Sequence, residues 1–510
     1  MSLPWLPYFH PLLLLAALVF TLSSSFLLLL SHLKPATDGR KQPPGPPAWP
    51  VIGNLHLLGT LPHRSLQSLA KRYGPVMSLR LGQVPAVVIS SPEAAELVLK
   101  THDVVFSSRP RTRASESLSY GSKGMAFREY GPYWRSVRKL CTLQLLSASK
   151  VEMFGPIRRE ELRDAVESIK KSAAAREVVD VSEKVGEVIE GMIYRMILGR
   201  KRDDRFDVKG IVQETLSLAG AFNIADFLPF LGPFDIQGLT RRLEKNGKEI
   251  DEMLETIIKE HEEEQALQIR EHKDFVDILL SYLDSHDDDQ NPVKDRSNMK
   301  AILLDLISGA IDTSITVSLW VFSELLKNPR VMKKLQCELE NVVGKTKLVE
   351  EVDLQRLTYL DMVIKETFRL HPVVPLLLPR VTMEDITING YYIRKNSRVI
   401  VNVWAIGRDP KIWSDDVEAF YPERFMNSNV DLRGQDFQLT PFGSGRRGCP
   451  GMHLGLIAVK FVIAQLVHCF NWELPQSISP DELDMTEKFG LLITRANHLL
   501  ALPSYCLAVN

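Results

Sequence analysis

The stretch PFGSGRRGCPG, Pro441 to Gly451, sets four glycines, two prolines and two arginines around one cysteine, Cys449. A lone thiol in so flexible and cationic a segment has three readings: a metal ligand, a catalytic nucleophile, or a buried thiol in an incidental turn. The other four cysteines, Cys141, Cys337, Cys469 and Cys506, are scattered and form no CxxC, which argues against zinc and against a disulfide framework. No base is identified beside Cys449, so simple nucleophilic catalysis lacks support. A second group lies in NMKAILLDLISGAIDTSITVSLWVFSELLKN, Asn298 to Asn328, where Ser308, Gly309, Asp312, Thr313, Ser314 and Thr316 interrupt an apolar middle. A buried carboxylate is expensive unless it is paired or put to use. The hydroxyls alone read as bonds back to the preceding turn. Gly309, four residues before Thr313, removes a side chain where the helix could open to a ligand.

Three further segments carry paired polar residues. In KETFRLHP, Lys365 to Pro372, Glu366 and Arg369 share one helix face, by default a surface contact worth a few tenths of a kcal/mol. FYPERF sets Arg424 among aromatic residues, and YGPYWRSVRKL places Trp134 and Arg138 four apart on a helix.

The elements that must position these residues are mostly helical. The Asn298–Asn328 run is one helix of about 45 Å, stopped by Pro329, and its apolar circumference marks it as buried through the protein's centre. VMSLRLGQVPAVVISSPEAAELVL, Val76 to Leu99, reads as two alternating strands and a helix capped by Ser91 with Pro92 at its first position. ITINGYYIRKNSRVIVNV, Ile386 to Val403, reads as another strand pair turning at Asn389-Gly390. The expectation is a mainly α body with a small β portion in one large domain.

The composition agrees. Of 510 residues, 45% are hydrophobic and 25% charged, ample for a large core, and a net charge of -1 argues against a nucleic-acid partner. From Leu12 to Leu30 no charge interrupts LLLLAALVFTLSSSFLLLL, enough helix for about 28 Å of bilayer. Lys34, Arg40 and Lys41 follow it and no positive residue precedes it, so the positive-inside rule puts the body in the cytosol. We expect an uncleaved anchor over 1–33, a stiff proline-rich hinge over 34–50, and the catalytic domain over 51–510.

In order, WRSVR, GAIDTS, ETFR, PERF and FGSGRRGCPG resemble the cytochrome P450 family of haem-thiolate monooxygenases. The resemblance spans essentially the whole chain, and the cysteine segment fits the family pattern at Phe442, Gly445, Arg447, Cys449 and Gly451. The PERF form, DFLPFLGPFDIQG and WAIGRDP look like the plant A-type microsomal branch. The resemblance implies the cytochrome P450 fold and haem b (iron protoporphyrin IX), with Cys449 as axial ligand of the iron. A thiolate there favours O–O cleavage, and loop N–H groups and the next helix start would keep it ionised. Arg447, Arg138 and Trp134, with Arg380 as a further candidate, match positions that bond haem propionates. Asp312 and Thr313 match the acid–alcohol pair that delivers protons beside the oxygen site. Glu366, Arg369 and Arg424 match a structural charge network behind the haem. Leu304, Ala310, Val373, Leu377 and Phe489 match the substrate pocket, and their apolar character implies a small hydrophobic substrate.

The sequence departs from the family pattern in places. Gly309-Ala310 reverses the usual Ala-Gly, and Asn396 stands where Gly is common, a residue that tolerates a left-handed turn. No GxGxxG follows a strand, so electrons must come from outside. The implied partner is the NADPH–cytochrome P450 reductase, with Arg135, Lys139 and Arg446 as possible contacts. The resemblance thus implies a monooxygenase anchored in the endoplasmic reticulum membrane, acting with O2 on a terpenoid, phenolic or similar specialised metabolite. Two alternatives stand beside it. One is a haem-thiolate isomerase or lyase working without reductase, disfavoured because Thr313 is present and the cysteine loop is not lengthened. The other is a non-catalytic membrane-anchored haem binder, which leaves Asp312, Thr313 and Cys449 together unexplained.

Overall fold

The computed structural model describes residues 13–25, 39–202, 205–267, 273–284, 291–414, 416–475 and 478–508. The central element is the helix Arg296–Lys327, 32 residues and about 48 Å long. Its start is fixed by a reciprocal cap: Asp295 Oδ1 accepts the Asn298 N–H at 2.8 Å, and Asn298 Oδ1 accepts the Asp295 N–H at 3.1 Å. It ends at Asn328, and Pro329 opens the next helix, Pro329–Val343, where a missing N–H costs nothing. As the all-round apolar pattern predicts, the helix is buried on most sides. It packs against the helices Val181–Ile197, Thr358–Leu370 and Met452–Cys469. Arg296–Lys327 and Met452–Cys469 are both long and apolar enough to cross a membrane, yet both are mostly buried within the body, so they are core helices.

A four-stranded sheet flanks the helices in the order Val76–Leu81, Val84–Ile89, Arg398–Val401, Arg380–Val381. The expected hairpin and cap are present: Val76 pairs with Ile89, and Ser91 accepts the Ala94 N–H at the start of Pro92–Glu96. Asn389 and Gly390, with φ of 48° and 75°, turn the hairpin of Ile386–Ile388 and Tyr391–Ile393. The strand pair read across Ile386–Val403 is shorter than expected. After Ile393 the chain turns through Asn396, at φ 63°, and Arg398–Val401 leaves to pair in parallel with Val84–Ile89. Burial of all four residues of Arg398–Val401 fits a parallel strand covered on both faces.

At the N-terminus the described apolar helix runs Leu13–Ser25, about 20 Å, and its large side chains are exposed. That is shorter than the hydrocarbon layer; residues 12 and 26–30 of the expected span lie outside the described residues. The proline-rich segment packs on the body. Pro44 O accepts the Ser78 N–H at 2.8 Å, Lys41 O accepts the Tyr392 N–H at 2.8 Å, and a Cβ on Gly45 would stand 2.0 Å from Ser78 O. Trp49 does not bury itself there: it is 59% exposed and lies against His56.

Candidate active site

A cavity of about 300 Å³ separates the middle of the central helix from the cysteine loop. Gly309, Ala310 and Thr313 form one wall, Phe442, Cys449, Gly451, Gly455 and Ala458 the other, and Val373, Val374 and Leu377 close a side. A Cβ built on Gly309, Gly451 or Gly455 would meet nothing within 4 Å, so these glycines leave room rather than relieve a contact. Gly445 differs. It has φ 68° and its Cβ would stand 2.1 Å from Leu99 O, so it permits the loop's close approach to the body.

Cys449 is exposed, but the surface it shows is cavity wall; protein surrounds it otherwise. Burial pushes its thiol up, and the N–H groups of Gly451 and Met452, together with the Arg138 charge, pull it down. Those opposing groups are the ones a thiolate would need. Thr313 Oγ1 donates to Gly309 O at 2.7 Å, the local bond expected of a helix hydroxyl, while its side chain faces the cavity. Asp312, one residue earlier, faces a different space. It lines a second cavity of about 1080 Å³ with Lys209, Leu216 and Phe489, which holds neither Cys449 nor Thr313. Burial, then the Glu190 carboxylate, push the Asp312 acid up to about 6 against the pull of Lys209.

Four guanidiniums line the first cavity: Arg158, which is paired with Glu351, and a group of three, Arg109, Arg380 and Arg447. The partners of the three are backbone carbonyls. Arg447 donates to Ser107 O, Met125 O and Arg128 O at 2.6, 3.2 and 2.5 Å. Arg109 donates to Ala126 O, Leu378 O and Pro379 O at 3.2, 2.5 and 2.9 Å, and Arg380 to Ser444 O at 3.0 Å. Arg380 Nη1 is buried and has no partner. Burial lowers the Arg380 cation to about 10, and burial plus the charges of Arg380 and Arg138 lower Arg447 to about 9. Arg109 falls well below its ordinary value through burial and then the same two neighbours, Arg380 and Arg447. Among the described residues no carboxylate pairs with any of the three, so the cluster is a concentration of buried positive charge that an anion would relieve.

A family model for cytochrome P450 matches residues 43–500. The chain belongs to the cytochrome P450 family. It is 58% identical over 480 residues to cytochrome P450 CYP736A12 of Panax ginseng, covering 94% of this chain and 96% of that protein. Cytochrome P450 71A1 of Persea americana is 44% identical over 86% of this chain and 89% of its own length. Desmethyl-deoxy-podophyllotoxin synthase of Sinopodophyllum hexandrum is 42% identical over 96% and 97%. A solved zebra fish cytochrome P450 with abiraterone superposes with a TM-score of 0.72 at 25% identity, over 87% of this chain and 99% of that one. The chain is therefore a cytochrome P450 monooxygenase, its cofactor is haem, and it works with an electron donor, oxygen and a small-molecule substrate.

The P450 cavity suits that cofactor. A cysteine stands on one wall, glycines leave both walls open, and an arginine cluster with an orphaned buried N–H awaits a dianionic group. Trp134 and Arg138 are placed behind this wall rather than on it. The Trp134 indole donates to Met125 O at 3.0 Å and lies under Arg447 at 4.0 Å, and Arg138 donates to Gly448 O at 2.7 Å. Of the expected pocket residues, Ala310, Val373 and Leu377 line the cavity. Leu304 is instead packed in the core at 4% exposure, and Phe489 lines the second cavity, against His63.

Glu366 and Arg369 are no surface pair. Both are buried, joined by two bonds of 2.8 Å, and Glu366 Oε1 also accepts Arg424 Nε and the Tyr421 N–H at 2.9 Å. Arg135, Lys139 and Arg446 are exposed as expected, though Arg446 is paired with Asp103. Sequence reasoning missed Arg109 and the half-buried Asp305. Each acts on backbone groups distant in sequence, and neither sits in a motif that would have singled it out.

Proposed function

We propose that this P450 hydroxylates a small hydrophobic plant metabolite, such as a terpenoid or phenolic, using electrons from the NADPH–cytochrome P450 reductase. Cys449 would hold the haem iron, its thiolate favoured by the Gly451 and Met452 N–H groups and by Arg138. Arg380, Arg447 and Arg109 neutralise the propionates. Trp134 supports Arg447 from behind. Bound haem supplies the iron at which dioxygen is activated. Thr313 Oγ1 holds a proton at the cavity wall, and Asp312, raised to about 6, takes protons from the polar side of the helix and replenishes it. Val373, Val374, Leu377 and Ala310 exclude water and position the substrate. Glu366, Arg369 and Arg424 hold the loop architecture behind the site.

The observation that carries this reading is the placement of Thr313 and Cys449 on opposite walls of one apolar cavity that Arg109, Arg380 and Arg447 also line, none of the three paired with a carboxylate among the described residues. A relative named for desmethyl-deoxy-podophyllotoxin synthesis supports a specialised metabolite as substrate. The apolar run before Lys34 supports anchoring to the endoplasmic reticulum with the body in the cytosol. The reduced, CO-treated protein should show the red-shifted band of thiolate-ligated haem. Cys449→Ala should abolish it and Cys469→Ala should leave it. A metabolite panel should turn over only when the reductase is supplied; hydroperoxide turnover without reductase would overturn the proposal.

A further inference from the structure

Asp305 projects from the central helix about two turns before Thr313 and lines the same cavity, yet the chemistry above gives it no task. No cation pairs with it among the described residues. Its Oδ2 accepts the N–H of Met125 and, at 2.9 Å, the N–H of Ala126. The loop is pressed hard against it: a Cβ on Gly124 would stand 2.3 Å from that same oxygen and 3.1 Å from Ala301 O.

The other end of one of these peptide groups faces the arginine cluster. The peptide joining Met125 to Ala126 gives its N–H to Asp305, while its carbonyl accepts Trp134 Nε1 at 3.0 Å and Arg447 Nη1 at 3.2 Å. The next carbonyl, Ala126 O, accepts Arg109 Nε at 3.2 Å. One loop thus stands between an anion on the central helix and two guanidiniums on the far side. Hydrogen bonds in such a chain polarise one another, so the carboxylate strengthens Met125 O as an acceptor. It also fixes where both carbonyls are.

We infer that Asp305 is a positioning residue that pins the 124–126 loop and, through its peptide carbonyls, sets the Arg109 and Arg447 guanidiniums for the haem propionates. The inference rests on the haem reading for what the guanidiniums hold, and on geometry alone for the latch. Burial raises the Asp305 acid to about 6 against the two N–H groups, so at neutral pH the carboxylate form that accepts both bonds predominates.

The test uses the full-length, haem-loaded protein and the variants Asp305→Ala, Asp305→Asn and Gly124→Ala. Amide hydrogen exchange reads the latch, and haem transfer to excess apomyoglobin reads the cradle. In Asp305→Ala the Met125 and Ala126 amides should exchange about tenfold faster or more, with the core of Arg296–Lys327 unchanged. Haem loss should rise several-fold while the thiolate band keeps its position. Asp305→Asn retains an acceptor oxygen and should fall between parent and Ala variant. Gly124→Ala, which displaces the loop without altering the carboxylate, should reproduce the Ala phenotype. Unchanged Met125 and Ala126 amides, or faster exchange spread evenly over the protein, would overturn the latch. Fast loop amides with parental haem loss would overturn its coupling to the arginines. A parent without the thiolate band would fail the cofactor reading and leave the amides to decide the latch.

Discussion

Replacing Glu366 by Gln removes one charge from the most enclosed ion pair among the described residues. Glu366 and Arg369 have side chains 0% exposed, and the carboxylate accepts four bonds, two from Arg369 and one each from Arg424 and the Tyr421 N–H. Gln keeps the shape but is neutral, and its amide presents N–H groups where a guanidinium already donates. The Arg369 cation is then buried without compensation, which costs about 3–5 kcal/mol. Against a total stability of about 5–15 kcal/mol, that is about a fifth or more. Removing Arg369 as well should not restore the parent, because the carbonyls of Gly407 and Val417 lose their donor, at about 1–3 kcal/mol each. Urea titration of the haem-loaded protein at neutral pH, followed by circular dichroism and by the thiolate CO band, measures both. A loss below about 1 kcal/mol in Glu366→Gln, or a Glu366→Gln/Arg369→Leu double variant as stable as the parent, would refute the reasoning.

Thr313→Ala should lower product formed per NADPH consumed by roughly tenfold, the worth of one strong hydrogen bond, and unchanged coupling would remove Thr313 from proton delivery. The Asp312 acid is raised to about 6, with Glu190 and Lys209 facing it, so ionising it costs the folded state. That cost is absent below the unfolded value near 4, grows between about 4 and 6, and is complete above 6. Asp312→Asn should therefore be more stable than the parent at pH 8, by up to about 3 kcal/mol, and progressively less so toward pH 5; urea titrations at the two pH values read the difference. Deleting the residues before Lys41 should release the protein from membranes in a flotation assay, and full retention would show that the main attachment lies elsewhere.

Local chemistry was the legible part. Ser91 before Pro92, Asn389-Gly390 and the cysteine segment all act within a few residues of themselves. The charge network was legible as motifs but not as geometry. Nothing in KETFRLHP says that Glu366 will be wrapped by Tyr421 and Arg424, more than fifty positions later. Arg109 was invisible because its partners are carbonyls 269 and 270 residues away, and a carbonyl leaves no mark in a sequence. Leu304 and Phe489 show the converse limit. An apolar residue near a site suits the core, the pocket or a neighbouring cavity equally, and only packing assigns it.

The partition between the two cavities also fixes a clock. Asp312 and Thr313 are one residue apart, hence about 100° around the helix axis, and that angle alone sends one to the polar chamber and the other to the cysteine chamber. The hour is set at Asp295, whose cap holds the first turn in place. Inserting or deleting a single residue between Asp295 and Asp312 would rotate everything beyond it by that same step. The carboxyl or Ser314 would then stand where the threonine hydroxyl belongs. The number of residues between the two points therefore cannot change.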